Sequence, residues 1–294
     1  MSHDMISEHD QTSEAQILGM ISLLTDSSSE VIETCQQALI AQGEHARALV
    51  QERLAVVEGH HARRLRAILA AIRFPEAEAE CIAYLSGTPS LETGALLIAR
   101  LVDGGPEPDQ LAAQLDAMAA AVRARLDVAE PGAEEAEIMM AALGHVLVER
   151  FPPGNEPPSR AVPVDALLHG AATGRGGLPL PLCMTWILVA RRTGIPLVGV
   201  NTPGHFLMRL DLPGQELVFD APSGGRVIPR TTWEQMLARF GMQRSTLDEL
   251  SCSDEEMLLR TLRNLINLAD PEIDGGLGER AMRVLEAAME RQQD

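Results

Sequence analysis

The chain has 294 residues, enough for one large domain or two ordinary ones, and 42 acidic against 24 basic residues give it a net charge of −18. So acidic a surface repels phosphate backbones, and we expect no nucleic-acid partner. Aromatic residues make up only 3% of the chain, so the core must consist of aliphatic side chains, which favours packed helices over a large sandwich of strands.

The acidic composition leads to a first prediction. We expect no measurable affinity for duplex DNA at physiological salt, because binding to DNA depends on cationic side chains that neutralise phosphates. An electrophoretic mobility-shift titration measures this affinity. Tight binding that weakens steeply with added salt would contradict the prediction.

The sequence shows no signal for export or membrane insertion. Its N-terminal segment MSHDMISEHDQTSE lacks the basic start and the apolar run of a signal peptide. No segment reaches the ~20 uninterrupted apolar residues of a membrane span. Without CxxC pairs, the four cysteines indicate reduced thiols; they are Cys35, Cys81, Cys183 and Cys252. We therefore expect a soluble, cytoplasmic protein with no membrane partner.

The first half of the chain is predicted to be helical. After a disordered tail at 1–14, apolar periodicity and capping residues predict a helical region over 15–129. It contains helices that start near Glu30, Glu44 and His61, and further helices at 76–85, 91–103 and 109–126. Paired short helices such as LLTDSSSEVIETCQQALIAQG resemble HEAT-type repeats. No strand is expected between residues 15 and 126.

The second half is predicted to mix helices with a small sheet. The proline-rich segment FPPGNEPPSRAVP is predicted to be a loop, and residues 178–193 form a helix that is apolar all round and therefore buried. Alternating apolar residues predict strands confined to about 195–230. A capping box formed by Ser253 and Glu256 starts a C-terminal helical hairpin over 251–294. The remaining predicted elements are helices at 134–150, 164–172 and 231–240 and strands at 197–201, 205–210 and 216–220.

His205 and Asp220 are the first candidate pair for chemistry. The last two predicted strands are joined by a short loop, and pairing Leu210 with Gln215 would set His205 directly opposite Asp220. An imidazole and a carboxylate at that spacing form a hydrogen bond of about 2.6–3.2 Å, the base and orienter of a nucleophilic triad. The structural alternative is that His205 merely ends a strand and Asp220 begins a turn.

Cys183 is the candidate nucleophile, and its role depends on where the buried helix starts. If Pro181 is the first helical residue, Cys183 lies in the first turn, where the helix dipole and free N–H groups stabilise a thiolate. If the helix starts at Pro179, Cys183 lies one turn deeper as an inert core thiol.

The motifs of Arg175–Gly225 resemble a known family. RGGLPLPL, ARRTGIPLVGVNTPGHFLMR and FDAPSGG, with AALGHVLVERF upstream, are similar to the SirB-type branch of the transglutaminase-like superfamily. The resemblance implies a papain-like α+β core at about 130–250, in which a nucleophile helix packs on an antiparallel sheet that supplies His205 and Asp220.

The resemblance also contains a departure at the nucleophile. Counted back from Gly194 of the GIP element, the position of the family cysteine falls on Pro179. Cys183 lies one helical turn further, roughly 6 Å along the axis, which is too far for an attack that needs about 3–3.5 Å. SirB-type proteins commonly lack this cysteine, which implies a largely non-catalytic branch.

Other candidate residues have weaker signals. His60 and His61 are predicted to be solvated, and Arg191 and Arg192 to complement the helix dipole alone. Arg175 is predicted either to anchor the glycine turn or to bind a carboxylate. The sequence has no phosphate-binding loop, dinucleotide fingerprint or zinc spacing, so we expect no cofactor and no metal.

Three alternative functions are compatible with these residues. The first is a binding or regulatory module with a degenerate triad, whose helical surface contacts a protein or peptide partner and whose His205 cleft holds a peptide or is vestigial. The second is a cysteine-dependent acyl-transfer enzyme or peptidase, with Cys183 as nucleophile, His205 as base and acid, and Asp220 as orienter. The third is a purely structural helical adaptor.

Overall fold

The protein is described by a computed structural model over residues 12–102, 108–128, 134–150, 161–202, 204–214, 217–242, 246–271 and 273–290. Over these ranges the helices are α1 (Glu14–Leu23), α2 (Ser29–Ala41), α3 (Glu44–Leu54), α4 (Gly59–Arg73), α5 (Pro75–Leu85), α6 (Leu91–Ala99), α7 (Pro108–Leu126), α8 (Glu135–Arg150), a 3₁₀ helix (Pro163–Ala166), α9 (Leu168–Ala172), α10 (Pro179–Thr193), α11 (Arg230–Ala238), α12 (Asp254–Leu268) and α13 (Leu277–Glu290). The strands are β1 (Leu197–Thr202), β2 (His205–Leu210), β3 (Val218–Asp220), β4 (Arg226–Ile228) and β5 (Ser251–Cys252).

The described residues form many helices and one small antiparallel sheet, which confirms the predicted α+β class. Helices without strands over 15–126 are confirmed for the part of that range that is described. The predicted tail lies outside the described residues up to residue 11, and its end was placed too late because Ser13 already caps α1 through the Gln16 amide. The predicted loop at 151–163 lies outside them up to residue 160. The HEAT-like repeat stays a prediction.

The chain divides into two compact units. One holds the described residues up to Glu76 together with Ala269–Gly278, and the other holds Ala77–Leu268 and the described residues from Glu279 onwards. The predicted domain limits at 129/130 and 250/251 are a different division and stay predictions. In the first unit, apolar side chains of α1 to α4 share one cluster of buried residues, as the amphipathic periodicity predicts.

The second unit is built around α10. The helix is buried on all sides from Leu180 to Ala190, as its lack of a polar face predicts. One side of α10 packs on β1 and β2 and other sides contact α7, α9 and α12. Gly194, with φ +78°, ends the helix in the left-handed conformation that leads into β1.

The sheet has the strand order β4-β3-β2-β1-β5, with antiparallel pairs. One face, with Val200, Leu207 and Val218, packs on Trp233 and Leu237 of α11. Because side chains alternate along a strand, Phe206 and Met208 lie on the opposite face, towards α10 and α12. The prediction that strands end near 230 was wrong, since β5 pairs Cys252 with Gly199 of β1.

α12 starts as the sequence predicts. The Ser253 N–H donates to Glu256 Oε2 at 2.7 Å and the Glu256 N–H donates to Ser253 Oγ at 3.2 Å, so the capping box is confirmed. The helix packs closely on α6, where a Cβ added at Gly94 would overlap the Leu258 side chain. Gly94 is therefore the residue that permits this close approach.

Candidate functional site

His205 and Asp220 meet at one end of the sheet. His205 Nε2 lies 2.9 Å from Asp220 Oδ1, and the side chains are 29% and 15% exposed. His205 is the first residue of β2, directly after the turn at Gly204, and Asp220 is the last residue of β3. The predicted contact is confirmed, while the catalytic role of the pair stays a prediction.

The register behind this contact differs from the predicted one. Met208 pairs with Phe219 and Arg209 pairs with Val218, so Asp220 lies level with Leu207 rather than with His205. The predicted pairing was wrong by two residues, and residues 215 and 216 lie outside the described part of the chain. The contact survives because a shift of two residues keeps both side chains on one face, where diagonal neighbours remain within reach.

A tight turn fixes the Asp220 carboxylate. The Ser223 N–H donates to Asp220 Oδ2 at 3.1 Å, and the Ser223 hydroxyl and the Gly225 N–H both donate to the Asp220 carbonyl. Burial alone would raise the pKa of Asp220, but the hydrogen bonds from His205 and Ser223 outweigh burial and hold this pKa below its ordinary value. The carboxylate is therefore held ionised and oriented towards the imidazole.

The lowered pKa of Asp220 gives a prediction about acid stability. Its stabilising contribution is present above the unfolded pKa of about 3.9 and is lost as the pH falls through the lower folded value. Asp220→Asn should lower the free energy of unfolding by about 1–3 kcal/mol at pH 7, and this deficit should shrink as the pH falls below about 4. Urea unfolding between pH 3 and 7 measures it. The exposed Asp127→Asn is the control, and a deficit of equal size at every pH would contradict the assignment.

Cys183 lies deep in the protein. α10 starts with Pro179 as its first residue, so Cys183 lies beyond the first turn, which is the second of the two alternatives. The side chain is 0% exposed and its Sγ–H points to the Phe206 carbonyl at 3.5 Å. Burial, and to a smaller degree the charge of Asp220, raises the pKa of the thiol. In this environment the thiol is neutral and shielded from substrates.

The Cys183 thiol and the imidazole have different hydrogen-bond partners. Alternation along β2 places His205 on the sheet face shared with Leu207 and α11, whereas α10 covers the other face. The ring of His205 is hydrogen-bonded to Asp220, and the thiol to a backbone carbonyl. His205 and Asp220 thus form a hydrogen-bonded pair, whereas the Cys183 thiol bonds to the backbone and feels the charge of Asp220.

A buried carboxylate that the sequence did not reveal supports the start of α10. Asp165 is 4% exposed, and its Oδ2 accepts from the Val162 N–H at 2.8 Å. Its carbonyl accepts from the N–H of Leu178, the residue that caps α10, also at 2.8 Å. Arg175 Nε lies 3.8 Å from Asp165 Oδ1, so this arginine faces an internal carboxylate and the glycine turn it was predicted to anchor. These contacts of Asp165 hold the segment before α10 so that the helix starts at Pro179.

Arg260 of α12 is a second residue that sequence reasoning missed. Its guanidinium donates to Asn201 Oδ1, to the Thr202 carbonyl at 3.2 Å and to the His205 carbonyl at 3.4 Å. It also stacks 5.3 Å from the centre of the Phe206 ring. Arg260 therefore holds the turn from which His205 projects, and only its position in an amphipathic helix was visible in the sequence.

Two of the weaker predictions need correction. Arg191 and Arg192 do more than complement the helix dipole, because Arg191 forms two hydrogen bonds with Asp254, and Arg192 contacts Glu92 and Asp116 on two further helices. These ion pairs tie the end of α10 to α6, α7 and α12.

His61 is not solvated as predicted. It is half-buried, burial lowers its pKa, and its Nε2 is enclosed without a hydrogen-bond partner within the described ranges. His60 is exposed and contacts Arg63 on the next turn, so the two rings have different surroundings.

The described part of the chain contains neither a candidate metal centre nor a helix that could span a membrane. No group of three or more His, Cys, Asp or Glu side chains there is arranged to hold a metal ion. None of the helices in the described ranges combines the length and the apolar character needed to cross a bilayer.

Comparison with known proteins gives a match to one family model and to several individual relatives. Residues 109–263, more than half of the chain, match the family model described as the transglutaminase-like superfamily. The chain is 38% identical over 89 residues to a UPF0162 protein of Xylella fastidiosa, which covers 30% of this chain and 32% of that protein. It is 31% identical over 183 residues to UPF0162 protein PA3419 of Pseudomonas aeruginosa, which covers 61% of this chain and 65% of that protein.

A shorter match is 43% identity over 42 residues to F-box only protein 21 of Mus musculus, 14% of this chain and 7% of that protein. The chain thus spans about a third of the Xylella relative and just under two thirds of the Pseudomonas relative. No solved structure gives a significant match. Because the family model covers the 3₁₀ helix, α10 and all five strands, this chain belongs to the transglutaminase-like superfamily.

Proposed function

We propose that the protein is a SirB-type, non-catalytic member of the superfamily that serves as a binding or regulatory module in the cytoplasm. The observation that carries this proposal is the position of Cys183, fully buried one turn inside α10 with its thiol pKa raised. A nucleophilic cysteine needs a thiolate that substrate can reach, and the Cys183 thiol is 0% exposed with a raised pKa. Pro179 at the helix start carries no nucleophile.

In this proposal the His205–Asp220 pair has a structural role. The hydrogen bond joins the start of β2 to the end of β3, and Arg260 and Ser223 fix the two ends of that contact. This hydrogen bond stabilises the sheet whether or not the protein catalyses a reaction. The presence of the pair is therefore compatible with a non-catalytic protein.

Support for the other parts of the proposal comes from the helices and the cysteines. The pairing of α1 with α2 and of α3 with α4 fits a HEAT-like helical region that contacts a protein partner. All four cysteines are unpaired, which fits a reducing compartment such as the cytoplasm.

The experiment that tests this proposal is an acyl-transfer assay. Incorporation of a fluorescent primary amine into casein, and hydrolysis of a p-nitrophenyl ester, should both stay at the level of a heat-denatured sample. Cys183→Ser should be indistinguishable from the parent in both assays, because the thiol takes no part in chemistry.

The second candidate function is the cysteine-dependent acyl-transfer enzyme or peptidase, favoured by the retained 2.9 Å contact between His205 and Asp220. It requires the buried Cys183 thiol to become ionised and accessible to substrate. Activity that Cys183→Ser abolishes while the circular dichroism spectrum is unchanged would establish this enzyme and overturn the non-catalytic proposal.

A further inference from the structure

The second ring nitrogen of His205 has no partner within the described residues. Because the ionised Asp220 carboxylate only accepts hydrogen bonds, Nε2 carries the proton of the 2.9 Å contact between them. Nδ1 forms no hydrogen bond, and unlike the Nε2 atom of His61 it is not enclosed by protein. In a neutral ring Nδ1 therefore presents a lone pair, oriented by Asp220, to a ligand.

Arg226 lies on the same face of the sheet as the His205–Asp220 pair. It is paired with Asp220 across β3 and β4, and residues directly opposite in antiparallel strands project to one face. Arg226 is exposed, and its guanidinium has no ion pair or hydrogen bond within the described part of the chain. The oxygens of Asp220 accept from His205 and Ser223 instead. The guanidinium is therefore available to an external anion.

An exposed aromatic ring lies beside the turn that leads into His205. α11 packs on this sheet face with Trp233 and Leu237, and Phe240 continues the same stripe just past the end of the helix. A Cβ added at Gly204 would lie 3.5 Å from Phe240 Cζ, so the ring covers the turn. Phe240 is nevertheless 56% exposed. Aromatic rings that present an open face next to polar groups are common in binding sites.

These three side chains follow one another across the sheet, and we call them the His205 surface: Arg226, His205 and Phe240. Arg226 is on β4, His205 on β2, and the turn under Phe240 joins β2 to β1. Neighbouring strands lie about 4.8 Å apart, so β4 and β2 are about 10 Å apart. The Arg226 side chain is long enough to bridge part of that distance. The remaining gap matches one amino-acid residue with its side chain.

The charges around the His205 surface select the kind of anion. Arg226 supplies one positive charge beside the ionised Asp220, on a chain with a net charge of −18. A phosphate group or a run of acidic residues would be repelled by the surrounding charge. A single carboxylate needs only one guanidinium, which binds it through two parallel hydrogen bonds. The C-terminus of a polypeptide carries such a carboxylate, with an amide N–H and a side chain on the same residue.

We propose that the His205 surface binds the C-terminus of a partner protein that ends in an aromatic residue. The terminal carboxylate pairs with Arg226, the last amide N–H donates to His205 Nδ1, and the terminal ring packs on Phe240. This inference rests on the proposed binding function and names the ligand of the site that contains the His205–Asp220 pair. Asp220 acts as a positioning residue that sets the direction of the imidazole.

A synthetic peptide tests the inference with the full-length protein. The probe is a short peptide of glycine and serine that ends in phenylalanine with a free carboxylate and carries a neutral fluorophore at its N-terminus. Fluorescence anisotropy at physiological salt should show saturable binding with a Kd on the order of 10–100 μM, since few contacts hold the peptide. The backbone amide NMR signals of Gly204, His205 and Arg226 should shift. No binding up to about 1 mM peptide would overturn the inference.

Three peptide controls identify the groups that are recognised. Amidation of the C-terminus should weaken binding at least about tenfold, because it removes the partner of Arg226. A terminal alanine in place of phenylalanine should weaken it about fivefold, since the contact with Phe240 is lost. An amidated peptide with aspartate directly before the phenylalanine should also bind at least about tenfold more weakly than the parent. Equal binding of either amidated peptide and the parent would overturn the assignment of a C-terminal carboxylate.

Protein variants with matched controls locate the site. Arg226→Glu should weaken binding at least about tenfold, whereas Arg125→Glu, at a residue that contacts His145 of α8, changes the net charge equally and should alter it less than about twofold. Phe240→Ser should weaken binding about fivefold, whereas Val227→Ser, at a similarly exposed residue of β4 on the opposite sheet face, should alter it less than about twofold. Equal effects of a variant and its control would overturn the inference.

The outcome is distinguishable from that of the acyl-transfer assay, because none of these variants alters Cys183. A protein that neither binds the peptide nor transfers acyl groups would overturn this inference and leave the proposed non-catalytic function in place. A protein that binds the peptide and also transfers acyl groups through Cys183 would contradict the proposed function and support the ligand assigned to the His205 surface.

Discussion

Replacing Gly225 by alanine should destabilise the protein more than any other single-methyl change at the glycines discussed above. Gly225 has φ +72°, and a Cβ there would overlap the Trp186 ring, with Cζ3 at 2.7 Å. The left-handed backbone costs about 1 kcal/mol for alanine and overpacking against a buried ring adds about 1–3 kcal/mol. We expect the free energy of unfolding, measured in urea, to fall by about 2–4 kcal/mol.

Two other glycines separate the two causes. Gly214 has φ +76° and open space around its Cβ position, so Gly214→Ala should show the backbone cost alone, about 1 kcal/mol. Gly144 lies within α8, with Trp186 Cη2 and the Gly224 carbonyl at 4.0 Å, so Gly144→Ala should be neutral or stabilising by up to about 1 kcal/mol. If Gly225→Ala costs no more than Gly214→Ala, the packing of Trp186 on the turn is not as described.

Thiol modification should be very slow in the native protein. Burial raises the pKa of Cys81 and Cys252 to about 12, and it raises that of Cys183 as well. Against an ordinary pKa of about 8.5, a thiol with these values has about a thousandfold less thiolate at pH 8. We expect iodoacetamide to modify Cys183 at least about a thousand times more slowly than it modifies glutathione, as followed by mass spectrometry.

The unfolded protein provides the control for this measurement. In urea all four cysteines should react at ordinary rates, and Cys183→Ser should remove one adduct there without changing the native result. Preferential modification of Cys183 in the native protein, with an apparent pKa well below about 8.5, would falsify the assignment of an inert thiol.

Local sequence patterns predicted the strands that form the site better than they predicted the register in which those strands pair. The period-2 alternation of His205–Leu210 and the polar residue at Asp220 were enough to bring the two side chains together. The register was missed because it depends on how the loop after Leu210 is built, and loop length from sequence fixes a hairpin only when the strand ends are known. The register differs from the predicted one by two residues, an even number. The predicted sheet face of His205 and Asp220 was therefore right, although the predicted residue pairing was wrong.

The start of α10 could not be decided from the sequence because Pro179 and Pro181 are both good first helical residues. The contact that decides it, from the Leu178 N–H to the Asp165 carbonyl, joins residues in separate elements. Hydrogen bonds across such separations leave no periodic signal. The ion pairs of Arg192 and the three carbonyl and amide contacts of Arg260 were missed for the same reason.

Strand β5 has a consequence for the order in which the protein can be made. β1 gains its second neighbour only when Ser251 and Cys252 have emerged from the ribosome, after every other strand of the sheet. Until then its N–H and C=O groups on that side are free to pair with another nascent chain. A fragment expressed to residue 250 would keep this apolar edge permanently open, whereas two further residues supply the strand that covers it.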